Sequence, residues 1–188
     1  MKRFLKGIGG GHLAVDTSNS SHKGRLYFAW QDVAEERFQI VLASSSDGGK
    51  TWSKPLQVND NKSASNQSNV GIAVNAQGTV GIVWNDRRDD PSDNCFRPYF
   101  TASFDGGKSF LTNQKVSEDA GCTVTPDGKP APERYPNGGE TFGMVACHGP
   151  FSSLINESNW PFTSLSFACA ACSSVSRAVS RLRKRSSS

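Results

Sequence analysis

Two adjacent arginines set among four acids form the most suggestive charged group in the sequence. The arginines are Arg87 and Arg88, and the acids around them are Asp86, Asp89, Asp90 and Asp93. Because guanidinium forks bind carboxylates bidentately, Arg87 and Arg88, with Asp86 beside them, are predicted to contact a carboxylated ligand. The alternative is a solvated loop, in which each ion pair contributes under ~1 kcal/mol and loss of Arg87 leaves stability unchanged.

Metal and cofactor chemistry has weaker support. Clustered carboxylates suit calcium, but the three acids after Arg88 lack the regular alternation of a known calcium loop. Cys169 and Cys172 have metal-ligand or redox spacing, yet they supply two of the four ligands that zinc needs. The chain has five cysteines, an odd number, and their spacing does not resemble a disulfide framework. We therefore predict isolated apolar cysteines, no metal and no cofactor.

Composition excludes several classes of protein. Of 188 residues, 36% are apolar and 20% charged, with 18 Gly and 9 Pro, which is too polar and turn-rich for a helical bundle. No apolar run is long enough for a transmembrane helix. The net charge is +4, but five basic residues within 177–185 carry +5, so the rest of the chain has 4 − 5 = −1. Nucleic-acid binding by the folded part is therefore not expected.

An internal repeat positions these residues. The segment Ser45–Trp52 is echoed 58 residues later by Ser103–Phe110, and Gly24–Asp32 is echoed 54 residues later by Gly78–Asp86. Each unit is predicted to form four short strands bounded by turn residues. The strands of the first unit are predicted at 12–16, 25–31, 38–45 and 51–58. Four-stranded units in tandem predict an all-β fold, a β-propeller fragment of about two and a half antiparallel blades.

The repeated segments resemble the Asp box, or bacterial neuraminidase repeat, of sialidase-like propellers. In this motif Ser and Asp fix a tight turn by hydrogen bonds, and the final aromatic residue packs between strands. Trp52 and Phe110 are accordingly expected to be buried. The structural residues assigned to the two boxes are Ser45, Asp47, Gly49, Trp52, Ser103, Asp105, Gly107 and Phe110.

The resemblance also implies a six-bladed full-length relative and a site. Sialidases use an arginine triad for the substrate carboxylate, a Tyr nucleophile assisted by a Glu, and an Asp acid/base. This chain has no Arg-Ile-Pro element for the first triad arginine, and Arg134-Tyr135 with Glu140 is its nearest Tyr, Glu and Arg grouping. On that basis Tyr135 and Glu140 are the catalytic candidates and Arg134 a further substrate-binding residue.

The resemblance favours hydrolysis of terminal sialic acids, with a glycan or sialoside as partner. It also favours a secreted or cell-surface location, although the basic start is followed by no signal-peptide core. Two alternatives are a non-catalytic propeller that binds carbohydrate or protein, and an inactive truncated or frame-shifted product. The oligomeric state is not predicted.

Domain limits follow from where the repeat is recognisable. The predicted divisions are an N-terminal extension 1–11, a partial propeller 12–158 with blades 12–58, 70–116 and 141–155, and a Ser/Ala/Cys-rich basic tail 159–188, expected to be disordered.

Successive meander connections alternate between the two ends of a blade, so the tight turns share one end. In sialidase-like propellers the opposite end is the binding face.

Overall fold

The computed structural model describes residues 9–34, 37–125, 127–129, 142–146 and 151–155. The regular secondary structure in this part of the chain consists of β-strands, which confirms the all-β prediction. The predicted tail and N-terminal residues 1–8 lie outside the described residues, so the domain limits stay a prediction.

Two antiparallel meanders form the body of the fold, and they are two blades of a partial β-propeller. Blade one has strand order β1-β2-β3-β4. Its strands are β1 (Gly9–Val15), β2 (Leu26–Ala34), β3 (Arg37–Ser45) and β4 (Leu56–Gln57). Blade two has order β5-β6-β7-β8, and β9 also pairs with β7. Its strands are β5 (Gln67–Val74), β6 (Val80–Asp86), β7 (Cys95–Ser103), β8 (Gln114–Lys115) and β9 (Gly121–Cys122).

A separate hairpin of β10 (Phe142–Ala146) and β11 (Phe151–Ile155) follows the second blade. Its two strands pair antiparallel from Phe142 opposite Ile155 to Ala146 opposite Phe151. The hairpin approaches blade two through β10 and β5. Both strands lie within the range 141–155 that the sequence predicts as a third, partial blade.

The fourth strand of blade one is shorter than predicted. The sequence indicates a strand over 51–58, whereas β4 pairs with β3 only at Leu56 and Gln57. Thr51 belongs to the preceding turn through hydrogen bonds to Asp47. Pro55 then has no N–H to contribute to a ladder, so regular pairing starts one residue later.

The main core lies between the two blades. Alternation along the strands turns Tyr27, Ile40 and Leu42 of blade one toward blade two, where Val70, Ile82 and Trp84 meet them. All six are buried. Packing of one sheet face on the next is therefore what joins the blades.

The tight turn of blade two contributes to this packing. Arg25 of blade one donates a hydrogen bond from Nη1 to the carbonyl oxygen of Gly106, at 3.1 Å. Gly107 has φ of +82°, and a Cβ there would lie 3.0 Å from a Leu42 methyl and 3.1 Å from the Tyr27 ring. Glycine is needed at this position for both its backbone conformation and its close approach to blade one.

The expected burial of Trp52 is wrong. Its side chain is 39% exposed, and its indole contacts Phe28 edge-on. Phe110, at the equivalent place in blade two, is half-buried against the main core. The difference arises because blade two has blade one as a neighbour, whereas Trp52 lies on the other face of blade one.

The expectation of isolated cysteines is also wrong for two of the five. Cys95 and Cys122 form a disulfide across the β7–β9 pair. The two residues are 27 positions apart. The bond therefore holds the segment after β8 against the start of β7.

Replacing both cysteines by Ser should lower the free energy of unfolding by about 2–4 kcal/mol, since the bond restricts the unfolded chain. Urea denaturation of the variant measures this. Wild-type protein in excess reductant is the matched control and should show the same decrease. An unchanged midpoint in both samples would show that the crosslink contributes nothing.

Candidate functional site

Three of the six predicted catalytic and substrate-binding residues are described, and they lie at the face opposite the tight turns. They are Asp86, the last residue of β6, and the two arginines that follow it, Arg87 and Arg88. The predicted catalytic pair Tyr135 and Glu140, together with Arg134, lies outside the described residues. Their roles stay predictions.

Asp86 is a buried carboxylate at the end of β6, with 0% exposure. Its Oδ2 accepts a hydrogen bond from Trp84 Nε1 at 2.8 Å and one from Arg88 Nη2 at 2.7 Å. Its Oδ1 accepts from the Arg88 backbone N–H at 2.8 Å. Asp86 is thus an internal anchor that fixes the backbone and the side chain of Arg88.

Arg88 reaches from blade two to Asp60, in the segment that follows β4 of blade one. Its Nη1 lies 2.7 Å from Asp60 Oδ1, and its Nη2 donates to Asn113 Oδ1 at 3.0 Å. The backbone N–H of Asp60 donates to Asn113 Oδ1 at 2.7 Å, and the backbone N–H of Asn113 donates to Asp60 Oδ2 at 2.9 Å. We refer to Asp60, Asp86, Arg88 and Asn113 as the blade joint.

The environment of Arg88 keeps it charged. Burial lowers the pKa of its guanidinium, but the hydrogen bonds and charges of Asp86 and Asp60 outweigh burial and raise it. The group also lies 4.3 Å above the Tyr99 ring, within cation–π range. A ligand carboxylate would have to displace Asp60 or Asn113 to bind Arg88.

The alternative interpretation of the sequence, a solvated loop, is wrong for Arg87. Its side chain is 6% exposed, 5.7 Å from the Phe96 ring centre, and its Nη1 donates to Ser68 Oγ at 3.5 Å. Burial lowers its pKa, while the charges of Asp93 and Asp90 act in the opposite direction. Removing Arg87 should therefore affect packing as well as charge.

Asp90 and Asp93, two of the acids after Arg88, already accept hydrogen bonds from neighbouring groups. Asp90 accepts from Ser92 and from the backbone N–H of Asn94 and Cys95. The Ser92 hydrogen bond is the main cause that lowers the Asp90 pKa to about 2. Asp93 accepts from the backbone and side-chain nitrogens of Asn66. In the part of the chain that the structure describes, no group of three metal-ligating side chains occurs.

A charged patch beside the joint was not predicted from the sequence. Tyr99 Oη donates to Asp89 at 3.0 Å, and Lys115 Nζ lies 3.6 Å from Asp89 and 2.7 Å from Glu118. Arg97 Nη1 is 3.9 Å from the same Asp89. We name these five residues the Asp89 patch. Strand alternation places Arg97 and Tyr99 on one face, and Lys115 lies directly opposite Tyr99, a register that sequence does not reveal.

The other end of each blade is built by matching turn carboxylates. Asp47 accepts from Thr51 Oγ1, Thr51 N and Ser45 Oγ. Asp105 accepts in the same way from Ser109 Oγ, Ser109 N and Ser103 Oγ. Ser45 and Ser103 Oγ each accept the backbone N–H of the second turn glycine at 2.9 Å.

These turns should make the protein sensitive to acid. The Thr51 hydrogen bond is the main cause that lowers the Asp47 pKa to about 2. Burial raises the Asp105 pKa, but the Ser109 hydrogen bonds outweigh it and bring the value to about 2. Because the folded-state pKa values are depressed, their contribution to stability is complete above about pH 4 and is lost as the pH falls toward 2.

Urea midpoints from pH 6 to pH 2.5 should therefore decrease at the acid end. The Asp105→Asn variant is the control: it should start from a lower midpoint and lose less on acidification. A midpoint independent of pH in the wild type would contradict the assignment.

Comparisons with known proteins give limited information. No protein-family model and no curated protein sequence matches this chain. Among solved structures, the fold is weakly similar to the Hadza microbial sialidase Hz136, at 19% identity and a TM-score of 0.46 over 61% of this chain and 25% of that one. A protein of unknown function from Dyadobacter fermentans gives 16% identity and a TM-score of 0.46, over 80% of this chain and 51% of its own. The chain thus spans a quarter to about half of these two structures.

Within the described ranges, no helix is long and apolar enough to cross a membrane.

Proposed function

We propose that the chain is part of a sialidase-like propeller that binds a carboxylated sugar at the face opposite the tight turns. The observation that carries the proposal is the Asp89 patch. On that face Arg97 and Lys115 are partly exposed, and Asp89 lies between them and the buried Tyr99 hydroxyl, from which it accepts a hydrogen bond. A partly exposed arginine and lysine suit the carboxylate of an acidic sugar, which would replace Asp89 and Glu118 as their partner.

The matching turns support the same proposal. We interpret the turns at Asp47 and Asp105 as Asp boxes, because each carboxylate closes its turn through the same three hydrogen bonds. Asp86 and Arg88 then support the site by holding the two blades in register. In the complete propeller, hydrolysis of terminal sialic acids would use Tyr135 as nucleophile, Glu140 as its assisting carboxylate and Arg134 for the substrate carboxylate.

A fluorogenic sialoside assay tests the proposal on this chain and on a longer protein that contains it. We expect turnover that is abolished by Tyr135→Phe and by Glu140→Gln. Arg97→Ala and Lys115→Ala should raise KM more than they lower kcat, because they remove ligand contacts. Lys23→Ala, at the opposite end, is the matched control and should change neither constant.

Two other outcomes would overturn parts of the proposal. Binding of a sialylated glycan without turnover would assign the propeller as a binding module. Neither binding nor turnover in a folded longer protein would contradict the sialoside assignment as a whole.

A further inference from the structure

Three Asn-x-Ser sequons, the acceptor pattern for N-linked glycans, lie among the described residues. They begin at Asn19, Asn61 and Asn66, and a fourth, at Asn156, lies outside the described residues. The pattern arises easily by chance in a chain rich in Ser and Asn, so the sequence alone does not choose among the four. The structure places the three described asparagines in different environments, and these environments separate them.

Asn19 lies in the connection between β1 and β2, at the end of blade one that carries the tight turn. Asp16 organises this connection, because its carboxylate accepts hydrogen bonds from Ser18 N at 2.8 Å and from Ser20 Oγ at 2.7 Å. Asp16 and Ser18 are 1% and 6% exposed, whereas Asn19, between the two anchored serines, is exposed. The connection is thus held from its inner side and presents Asn19 to solvent.

The two groups of this sequon that a transferase must reach are accessible. Lys23 Nζ donates to Asn19 Oδ1 at 3.3 Å on the surface, and among the described residues Asn19 Nδ2 has no hydrogen bond. Ser21, which supplies the hydroxyl of the sequon, is also exposed. The Lys23 contact is long and solvated, so its displacement costs little.

The amide of Asn66 is built into the fold instead. Its Oδ1 accepts the backbone N–H of Phe38 in blade one at 3.0 Å, and its Nδ2 donates to Asp93 Oδ2. Ser68, the hydroxyl residue of this sequon, is 6% exposed. A sugar bonded to Asn66 Nδ2 would crowd Asp93, so it is not compatible with these contacts.

Asn61 is half-buried in a cluster of polar side chains that follows β4. Its Nδ2 donates to Ser63 Oγ at 3.2 Å and to Ser65 Oγ at 3.1 Å, and its Oδ1 accepts from Asn59 Nδ2 at 2.6 Å. Both N–H bonds of the amide therefore have acceptors, and one acceptor is the serine of its own sequon. Transfer of a sugar to Asn61 would break up this cluster.

The disulfide supplies the second condition, which is passage through an oxidising compartment. N-linked glycans are added in the compartment where secreted proteins form their disulfides. Cys95 and Cys122 are bonded across β7 and β9, and cytosolic proteins seldom keep such a bond. This observation is independent of the sequons and of any ligand.

We propose that the protein is N-glycosylated at Asn19 and not at Asn61 or Asn66. In this reaction Asn19 Nδ2 forms a bond to the anomeric carbon of an oligosaccharide that is carried on a lipid pyrophosphate. The bond from that carbon to the phosphate oxygen breaks, the lipid pyrophosphate leaves with the electron pair, and the amide loses one proton to the transferase. The glycan at the tight-turn end leaves the opposite face accessible, and the inference does not depend on the proposed sialoside site.

Expression of the full chain in insect or mammalian cells, behind a cleavable secretory leader, tests the proposal. All proteins carry Asn156→Gln, so that a glycosidase-sensitive mobility shift reports only on the described sequons. The shift should be present in this background, be lost in Asn19→Gln and in Ser21→Ala, and be retained in Ser21→Thr, which keeps the hydroxyl. Asn61→Gln is the matched control and should retain the shift.

Peptide mass spectrometry then identifies the modified residue, because enzymatic removal of the glycan converts the acceptor asparagine to aspartate. The conversion is expected at Asn19, with Asn61 and Asn66 unchanged in the secreted protein. Unmodified Asn19 in both the secreted and the cell-associated protein would overturn the proposal. A glycan on Asn61 or Asn66 in secreted protein that retains its disulfide would also overturn it, because that asparagine would then not be needed inside the fold.

Discussion

Replacing Arg88 by Ala should lower the free energy of unfolding by about 3–5 kcal/mol, which is the usual cost of breaking a buried ion pair. The substitution leaves the fully buried Asp86 carboxylate without its counterion. It also removes the contact to Asp60, which follows blade one, and the contact to Asn113 within blade two. Urea denaturation followed by tryptophan fluorescence measures the change.

Arg97→Ala is the matched control for this prediction. Arg97 lies on the same face, but its ion pair with Asp89 is partly exposed and longer, at 3.9 Å. Its loss should cost no more than about 1 kcal/mol. Equal losses from the two variants would show that the burial of the joint does not matter.

Replacing Trp84 by Ala should also cost about 3–5 kcal/mol, because it empties a large aromatic site in the core. Trp84 is fully buried between the blades, and its Nε1 donates to Asp86. The variant therefore loses packing and one of the hydrogen bonds that hold the joint. Thermal and urea melts of the same sample measure the loss.

Trp52→Ala provides the comparison. The Trp52 side chain is 39% exposed and contacts Phe28 on the face of blade one that points away from blade two. Its removal should cost clearly less than removal of Trp84. If Trp52→Ala unfolds the protein while Trp84→Ala does not, the core has been placed on the wrong face of blade one.

The strands and turns could be predicted from the sequence because their signals are local. Ser45, Asp47 and Gly49 lie within five residues, and the hydrogen bonds that close their turn join neighbours in the chain. Short runs of β-branched and aromatic residues bounded by turn residues likewise mark β2 and β6 without knowledge of their partners.

The burial of single side chains could not be predicted in this way. Trp52 and Phe110 occupy equivalent places in the repeat, yet only Phe110 packs against the main core. The same applies to Arg88, whose partners Asp60 and Asn113 are 28 and 25 residues away. Which blade faces which determines these contacts, and the pattern within one blade contains no information on it.

The cysteine pair illustrates a further limit. Cys95 and Cys122 come together because β9 turns back onto β7, outside the repeated four-strand unit. A reading based on the repeat treats this segment as a connection between blades. Cysteine spacing alone leaves many pairings open, and the odd count favoured none of them.

A double-mutant cycle on Arg88 and Asp60 tests most directly whether polar side chains join the two blades. The variants are Arg88→Ala, Asp60→Asn and the double substitution, each measured by urea denaturation. Because the two groups lie 2.7 Å apart, one in blade two and one in the segment that follows blade one, we expect a coupling energy of about 1 kcal/mol or more. Additive losses, with a coupling energy near zero, would contradict the blade joint.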